Sequence, residues 1–460
     1  MSKYKGKKVL IVGFGMSGVS VAKYMAKQGA KVTVTDMKQR TELAESCNAC
    51  AELKIEYELG KHNPLTFKTA ELIVVSPGVP LNLKVLDEAR EAKIPITNEI
   101  ELAGSMIKEP LVAVTGTNGK TTTTALIGEM FKADGKKVYV GGNIGKPLLD
   151  YVTEGGGADV VVAELSSFQL ELTQRLIPAV AVFTNLEPDH LDRYPDFDAY
   201  AAAKKRLLTA CDRNSFVVLN HDSPTIAKFG EECIGKKMWF TRQEPIAIGG
   251  AFAEDFVGSY HRVRTRQIVA KINGREEAYD LSQLKIYGDH NKENLMAAIN
   301  AARAMGVSPK AIQHVINTFK GVPHRLEFVR RKDGVYFFND SKGTNVMSVQ
   351  RSLSAFGDNP IILIAGGKDK NQEFGPLADL VRKKCKILIL LGEAKEKMNR
   401  SLGDHAETFL VGTFEEAILL AFQKSRSGDI VLLSPGCASY DMFRNYEERG
   451  DYFKKLVNQL

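Results

Sequence analysis

The stretch TGTNGKTTTT, residues 115–124, puts two glycines, a lysine and a run of hydroxyls directly after an apolar segment. Gly116 and Gly119 free the backbone so that successive N–H groups can turn toward one anion. Lys120 would then lie against the β- and γ-phosphates of a nucleotide, and Thr121 would offer its hydroxyl to Mg²⁺. The usual phosphate-loop spacing asks for a glycine five residues before the Gly-Lys pair, where Val114 stands. Four threonines are otherwise a poor helix start, because β-branched side chains crowd the preceding turn. Phosphate chemistry explains the run better than a merely capped helix does.

Phosphoryl transfer needs a metal partner and an acceptor. DVVVAELSSFQLE places Glu164 at the end of an apolar run, where a carboxylate could hold Mg²⁺. AVFTNLEPDHLDRY ends another run and presents Asp189, His190 and Asp192 in a turn. His190 alone reads as an ordinary turn histidine. Its place at a strand end beside the phosphate loop favours a functional role.

A second glycine loop lies at the N-terminus. KKVLIVGFGMSGVSVAKYMAKQGAKVTVTD carries Gly13, Gly15 and Gly18 between a strand and a helix, with Asp36 ending the next strand. Glycines there let a phosphate approach the helix N-terminus, and the acid can take a ribose hydroxyl. Judged on this stretch alone, NAD is the favoured ligand, against a turn that only packs helix on strand. Ser76, Pro77 and Gly78 lie at a further strand end and could complete the pocket.

These loops require parallel sheets to hold them. KVLIVG, KVTVTD, LIVVSPG, LVAVTG, DVVVAEL, AVAVFTN, IILIAGG, ILILLG and DIVLLSPG read as buried strands alternating with longer helical patterns, the order of βαβ units. A chain of 460 residues exceeds one core, which stops growing near about 250–300 residues. Joints at 99–110 and 319–327 give domains 1–105, 106–322 and 323–460. The fold class is α/β: a Rossmann-like first domain, a central phosphate-loop domain with a mostly parallel sheet, and a Rossmann-like last domain. Residues 236–289 have alternating, β-branched patterns that suggest an antiparallel excursion within the central domain.

Composition excludes little beyond extremes. An apolar fraction of 44% and a charged fraction of 25% are those of a globular protein. A net charge of +7 without a basic block suits anionic small substrates and nucleic acid alike. No apolar stretch reaches the roughly 18 residues of a membrane span, so a cytoplasmic protein is expected. Six cysteines are too few for a disulfide scaffold, and the lone Cys47-x-x-Cys50 reads as two plain thiols. A GTPase guanine reader is missing, since NKEN at 291–294 lacks the required Asp. Kinase signatures and a Ser-His-acid set are also missing from the sequence.

Taken together the motifs resemble those of the Mur ligases, over the whole chain. TGTNGKTTTT, GGNIG (141–145), ELSSFQLE (164–171), NLEPDHLDRY (185–194), GDHNKENLMAA (288–298) and PHRLE (323–327) follow in that family's order. NDSKGTN (339–345), AGGKDK (365–370) and SPGCASYDMFRNYEERG (434–450) resemble its D-glutamate-adding branch. The resemblance implies ATP-dependent amide-bond formation in peptidoglycan synthesis. D-glutamate would be joined to UDP-N-acetylmuramoyl-L-alanine through an acyl phosphate and a tetrahedral intermediate, by a monomer without nucleic acid.

Residue roles follow from that resemblance. Gly116, Thr117, Asn118, Gly119, Lys120, Thr121 and Thr122 would hold ATP, with Asn291 and Asn294 at adenine and Arg325 and Asp340 at phosphates and ribose. Thr121 and Glu164 would bind one Mg²⁺; His190 and Lys204, carbamylated by CO₂, would bind a second. Without the resemblance Lys204 reads as a solvated helix lysine. Gly15, Met16, Ser17, Asp36, Ser76, Pro77 and Gly78 would bind UDP rather than NAD, with Asn143 and His190 at the muramoyl-alanine end. D-glutamate would meet Thr344, Lys370, Ser439, Tyr440 and Tyr446. Tyr446, Gly343 and Gly436 depart from residues common in the family near that pocket.

Other functions predict other features. A different Mur ligase or a folylpolyglutamate synthase should carry another C-terminal signature, and no Asp-Asn-Pro-Arg motif is present. A nucleotide-responsive binding protein would not need the set Glu164, His190 and Lys204. An NAD-linked oxidoreductase leaves the second loop unexplained.

Overall fold

In the computed structural model, residues 1, 192, 246–255, 263–264, 273 and 370–371 lie outside the described part of the chain. The chain divides into two compact units, residues 1–281 with 293–315 and residues 282–292 with 316–460. Among the described residues there are three sheets, of five, nine and six strands. All nine apolar runs named above form strands in them.

The five-stranded sheet is wholly parallel, with Lys8–Val12 between Lys31–Asp36 on one side and Leu72–Val75 on the other. Connections leave Lys8–Val12 in opposite directions there, so the crevice beyond its carboxyl end is the natural ligand position. The Gly13–Gly18 loop and the Ser76 turn face each other across it, and Ser76 Oγ donates to Gly13 O at 2.8 Å. Gly18 is dictated by contact: a Cβ there would sit 2.2 Å from Gly13 O.

The nine-stranded sheet shares the first unit. Leu111–Thr115 lies third from one edge, between Val160–Glu164 and Val180–Phe183. These strands are fully buried and rich in valine, as a parallel sheet covered on both faces demands. The expected antiparallel excursion starts later than the sequence suggested. Lys236–Thr241 pairs parallel with Phe216–Asn220, because the helix Pro224–Glu232 returns the chain as a βαβ crossover. Among the described residues of this sheet, antiparallel pairing joins Gln267–Ile272 to Gly258–Arg262 on one side and to Arg275–Asp280 on the other.

The first two sheets are joined by packing and by polar contacts within their unit. Tyr24, Met25, Ile100, Leu148, Leu149 and Val161 belong to one apolar cluster. Ser20 Oγ donates to Asp150 at 2.5 Å, and buried Glu99 accepts the Leu149 N–H at 2.6 Å.

The six-stranded sheet forms the core of the second unit. Its strands run parallel except for Glu327–Lys332, which pairs antiparallel with Val335–Asn339. Among the described residues no helix is long and apolar enough to cross a membrane. Cys47 lies in the helix Ala44–Asn48 and Cys50 just beyond it; both are buried thiols.

Candidate active site

Three adjacent strand ends build the central site. Leu111–Thr115 delivers the phosphate-type loop, Val160–Glu164 delivers Glu164, and Val180–Phe183 leads to the turn that contains His190. The loop is held open by its neighbours rather than by itself. Asn118 N–H donates to Asn185 Oδ1 at 2.9 Å, while Thr184 Oγ1 and Asn185 Nδ2 donate to Asn118 O. Thr117 Oγ1 pairs with the Tyr200 hydroxyl at 3.0 Å and accepts the Glu187 N–H. The helix Lys120–Ala133 begins on Gly119, whose φ of 78° an L side chain rarely adopts. A Cβ at Gly119 would also sit 2.0 Å from Asn294 Oδ1, so Asn294 borders the loop. Asn294 Oδ1 accepts from Thr123 Oγ1 at 3.4 Å as well.

The charges around this loop are unusual. Lys120 Nζ donates to Gly116 O and Thr117 O at 3.0 and 2.9 Å. Lys204, on the helix Phe197–Thr209, donates to the same Gly116 O at 2.7 Å. Two lysine side-chain nitrogens thus share one carbonyl. Lys204 is only 2% exposed, so the solvated lysine read from sequence alone is corrected. Burial foremost, and then Lys120, hold its pKa well below the ordinary lysine range, against the pull of Asp189 and Glu164.

Glu164 is also buried, and the Asn143 amide donates to its Oε1 at 2.8 Å. Its Oε2 is buried without a hydrogen-bond partner. Such an orphaned carboxylate oxygen costs about 1–3 kcal/mol or more unless something meets it. A hard cation favours carboxylate and hydroxyl oxygens, so Glu164 with Thr121 fits Mg²⁺. Among the described residues no three His, Cys, Asp or Glu side chains cluster as metal ligands.

His190 has a φ of 54°, and its carbonyl accepts the N–H groups of Arg193 and Tyr194. Its half-exposed ring stands 4.7 Å from the Phe168 ring and 6.1 Å from that of Tyr200. Asp189 accepts its backbone N–H; Asp192 lies outside the described residues.

In the N-terminal crevice Asp36 differs from a carboxylate standing open at a strand tip. Its two oxygens accept the N–H groups of Phe14 at 2.7 Å and Lys38 at 2.9 Å, which closes the glycine loop. Met16 is exposed, and the helix that begins there, Met16–Lys27, has Gly15 as its N-cap. Ser17 is half-buried in the first turn of that helix, and Pro77 and Gly78 line the facing turn.

The second unit groups its own set. Asp340 Oδ2 accepts from Ser352 and Ser434 at 2.6 and 2.8 Å, and burial raises its pKa to about 6 against those bonds and Arg325. Gly436 N–H donates to Gly343 O, and Lys368 N–H to Ala438 O, so three motifs are knitted at one sheet end. Thr344 and Ser439 lie there; Tyr440 is 71% exposed, and Tyr446 starts the helix Tyr446–Gln459. Asn291, in this unit, donates to Tyr287 O at 2.6 Å. Lys370 lies outside the described residues. Sequence reasoning missed Arg449, whose fully buried guanidinium donates to Ser341 O, Ala438 O and Cys437 O. It also missed Arg193. The ERG end of the last motif marked Arg449 only as part of a pattern.

Comparisons with known proteins agree with this geometry. Residues 7–98 match the family described as "Mur ligase MurD-like, N-terminal domain", 114–302 the "Mur ligase middle domain", and 324–437 the "Mur ligase, glutamate ligase domain". A curated relative from Bdellovibrio bacteriovorus, called UDP-N-acetylmuramoylalanine--D-glutamate ligase, is 47% identical over 100% of this chain and 99% of its own. A relative of the same name from Geotalea daltonii is 45% identical over 99% and 98%. Among solved structures, a pseudomurein peptide ligase from Methanothermus fervidus aligns with a TM-score of 0.59 at 22% identity, over 99% of this chain and 100% of that one. The UDP-N-acetylmuramate-alanine ligase of Thermotoga maritima aligns at 0.58 and 19%, over 98% and 99%. These two share the fold.

Proposed function

The chain belongs to the Mur ligase family, and on that premise we propose that it joins D-glutamate to UDP-N-acetylmuramoyl-L-alanine with ATP, in the cytoplasm, during peptidoglycan synthesis. The observation that carries this reading is the convergence of the phosphate-type loop, Glu164, the His190 turn and buried Lys204 at neighbouring strand ends. Residues 1–105 would bind the UDP substrate, 106–322 ATP, and 323–460 the amino acid.

A carboxylate is a poor electrophile and must be activated. An oxygen of the alanyl carboxylate attacks the γ-phosphorus, the bond to ADP breaks, and an acyl phosphate forms. The D-glutamate amine then adds to the acyl carbon, phosphate leaves from the tetrahedral intermediate, and the amine proton passes to solvent. Lys120 and the 116–122 backbone would leave their resting carbonyl contacts to meet the phosphates. Thr121 and Glu164 would hold one Mg²⁺; His190 and Lys204 a second. Bound there, Mg²⁺ supplies charge neutralisation for the transferring phosphoryl group.

The downward shift favours the neutral amine form of Lys204, the form that would add to CO₂ and lose a proton to become an anionic carbamate. Asn294 and Asn291 would face adenine, and Arg325 and Asp340 the phosphates and ribose. Thr344, Lys370, Ser439, Tyr440 and Tyr446 would receive D-glutamate. Gly15, Met16, Ser17, Asp36, Ser76, Pro77 and Gly78 would hold UDP, with Asn143 and His190 toward the alanyl end. Phosphate release should require UDP-N-acetylmuramoyl-L-alanine and D-glutamate from an amino-acid panel. Release with L-lysine or L-alanine but not D-glutamate would defeat the assignment.

A further inference from the structure

Arg193 stands three residues after His190 in the sequence DHLDRY, and nothing in the phosphoryl-transfer scheme uses it. Its side chain leaves the central site and reaches the first domain. Nη1 donates to Pro77 O at 2.7 Å and Nη2 to Val79 O at 3.1 Å, the two carbonyls of the turn that faces the glycine loop. Nη2 also pairs with Glu171 at 3.0 Å, and the guanidinium carbon lies 4.0 Å from the Phe168 ring centroid. Phe168 in turn packs against the His190 ring. Arg193 and Glu171 are both largely buried, at 13% and 15% side-chain exposure.

This arrangement is specific to arginine. A planar fork can satisfy two carbonyls and a carboxylate at once while its face covers an aromatic ring; a lysine is a point donor that cannot. The main-chain N–H of Arg193 also closes the turn on His190 O, so one residue fixes both the turn of His190 and the turn at 76–79.

We propose that Arg193 is a positioning residue that sets the register between the substrate-holding turn at 76–79 and the His190 turn. It would thereby fix where the alanyl carboxylate lies relative to the γ-phosphate. The inference rests on the proposed ligase reading, under which the 76–78 turn holds the UDP substrate. Alignment of this kind is costly to lose: a displacement near 1 Å can reduce the rate about 10²-fold.

The test compares the full-length wild type with Arg193→Lys and Arg193→Ala in steady-state phosphate release, varying each substrate. Arg193→Lys should raise KM for UDP-N-acetylmuramoyl-L-alanine roughly tenfold and lower kcat roughly tenfold, with KM for ATP within about twofold of wild type. Hydrogen exchange supplies a second readout. Adding the UDP substrate should protect amides at 76–79 and 189–194 together in the wild type, but only those at 76–79 in Arg193→Lys. Should Arg193→Ala not fold, the lysine variant decides by itself. Unchanged kinetics, protection of both turns in the variant, or a kcat loss that follows melting temperature while every KM stays put would overturn the assignment. A wild type that does not turn over this substrate pair would overturn the ligase reading together with the inference that rests on it; an active wild type beside an unaffected variant would overturn the inference alone.

Discussion

The two glycine loops of the first unit begin alike and end in opposite electrostatic states. Each follows a buried parallel strand, opens a helix and relies on a glycine in close contact. In the N-terminal loop the acid and the hydroxyl at its edge are paired at rest: Asp36 takes the N–H groups of Phe14 and Lys38, and Ser76 closes on Gly13 O. The central loop differs. Two lysines crowd the carbonyl of Gly116, and a buried oxygen of Glu164 has no partner. A loop satisfied at rest can recognise a ligand by shape and backbone contact, whereas a loop with opposed charges changes state when anions and cations arrive. The contrast is the one expected if, as proposed, the first loop binds and the second carries the chemistry.

The largest effect should therefore come from the second loop. Lys204→Ala removes the buried amine, and kcat for amide formation should fall about 10²–10³-fold, the scale of losing one electrostatic stabiliser in a dry site. Added acetate should restore part of the rate by standing where a carbamate would. Full activity in the unsupplemented variant would break the contrast. The companion change in the first loop, Asp36→Asn, sets an amide opposite one of two backbone donors, at a cost of about 1–2 kcal/mol. KM for the UDP substrate should rise roughly three- to tenfold with kcat nearly unchanged, the mark of lost uniform binding. A kcat loss as large as that of Lys204→Ala would show that both loops act in chemistry.

What could be read from the chain beforehand has a physical pattern. Strands buried on both faces are apolar runs, so LVAVT, VVVAE and VAVF announce themselves and their carboxyl ends locate the site. Lys204 does not announce itself. It stands beside Lys205 in AAAKKRL; one is buried against Gly116 O, while the other pairs with Glu232 toward the surface. Helical periodicity separates neighbours by about 100°, but it cannot say which of two lysines faces a loop 88 residues earlier. The backbone partners of Arg193 and Asp36 were obscured for the same reason, since the carbonyls of Pro77 and Val79 and the N–H groups of Phe14 and Lys38 carry no sequence signal. The start of the antiparallel excursion was misplaced because alternation marks a half-buried strand without revealing its partner's direction.

The smallest predicted effect supplies a control. Glu99, in the helix Glu99–Gly104 between the residues matched to the N-terminal and middle family domains, resembles Glu164 in being buried with one unpartnered oxygen. Its other oxygen accepts the Leu149 N–H, and it lies near Asp150 rather than near a lysine. Burial foremost, with Asp150 adding to it, raises its pKa to about 7. A carboxyl group whose folded pKa is raised binds its proton more tightly when folded. Its contribution is fully present below the unfolded value near 4.5 and is lost as pH rises through about 7. Glu99→Gln keeps the acceptor for Leu149 and removes the charge. The variant should match wild type in melting temperature near pH 4.5 and exceed it near pH 8 by the equivalent of about 1–3 kcal/mol, with kcat unchanged. Glu164 treated the same way should lose activity if, as proposed, its open oxygen meets Mg²⁺. If Glu99→Gln were instead inactive and no more stable at pH 8, an unpartnered buried carboxylate oxygen would no longer distinguish the catalytic loop from the joint beside it.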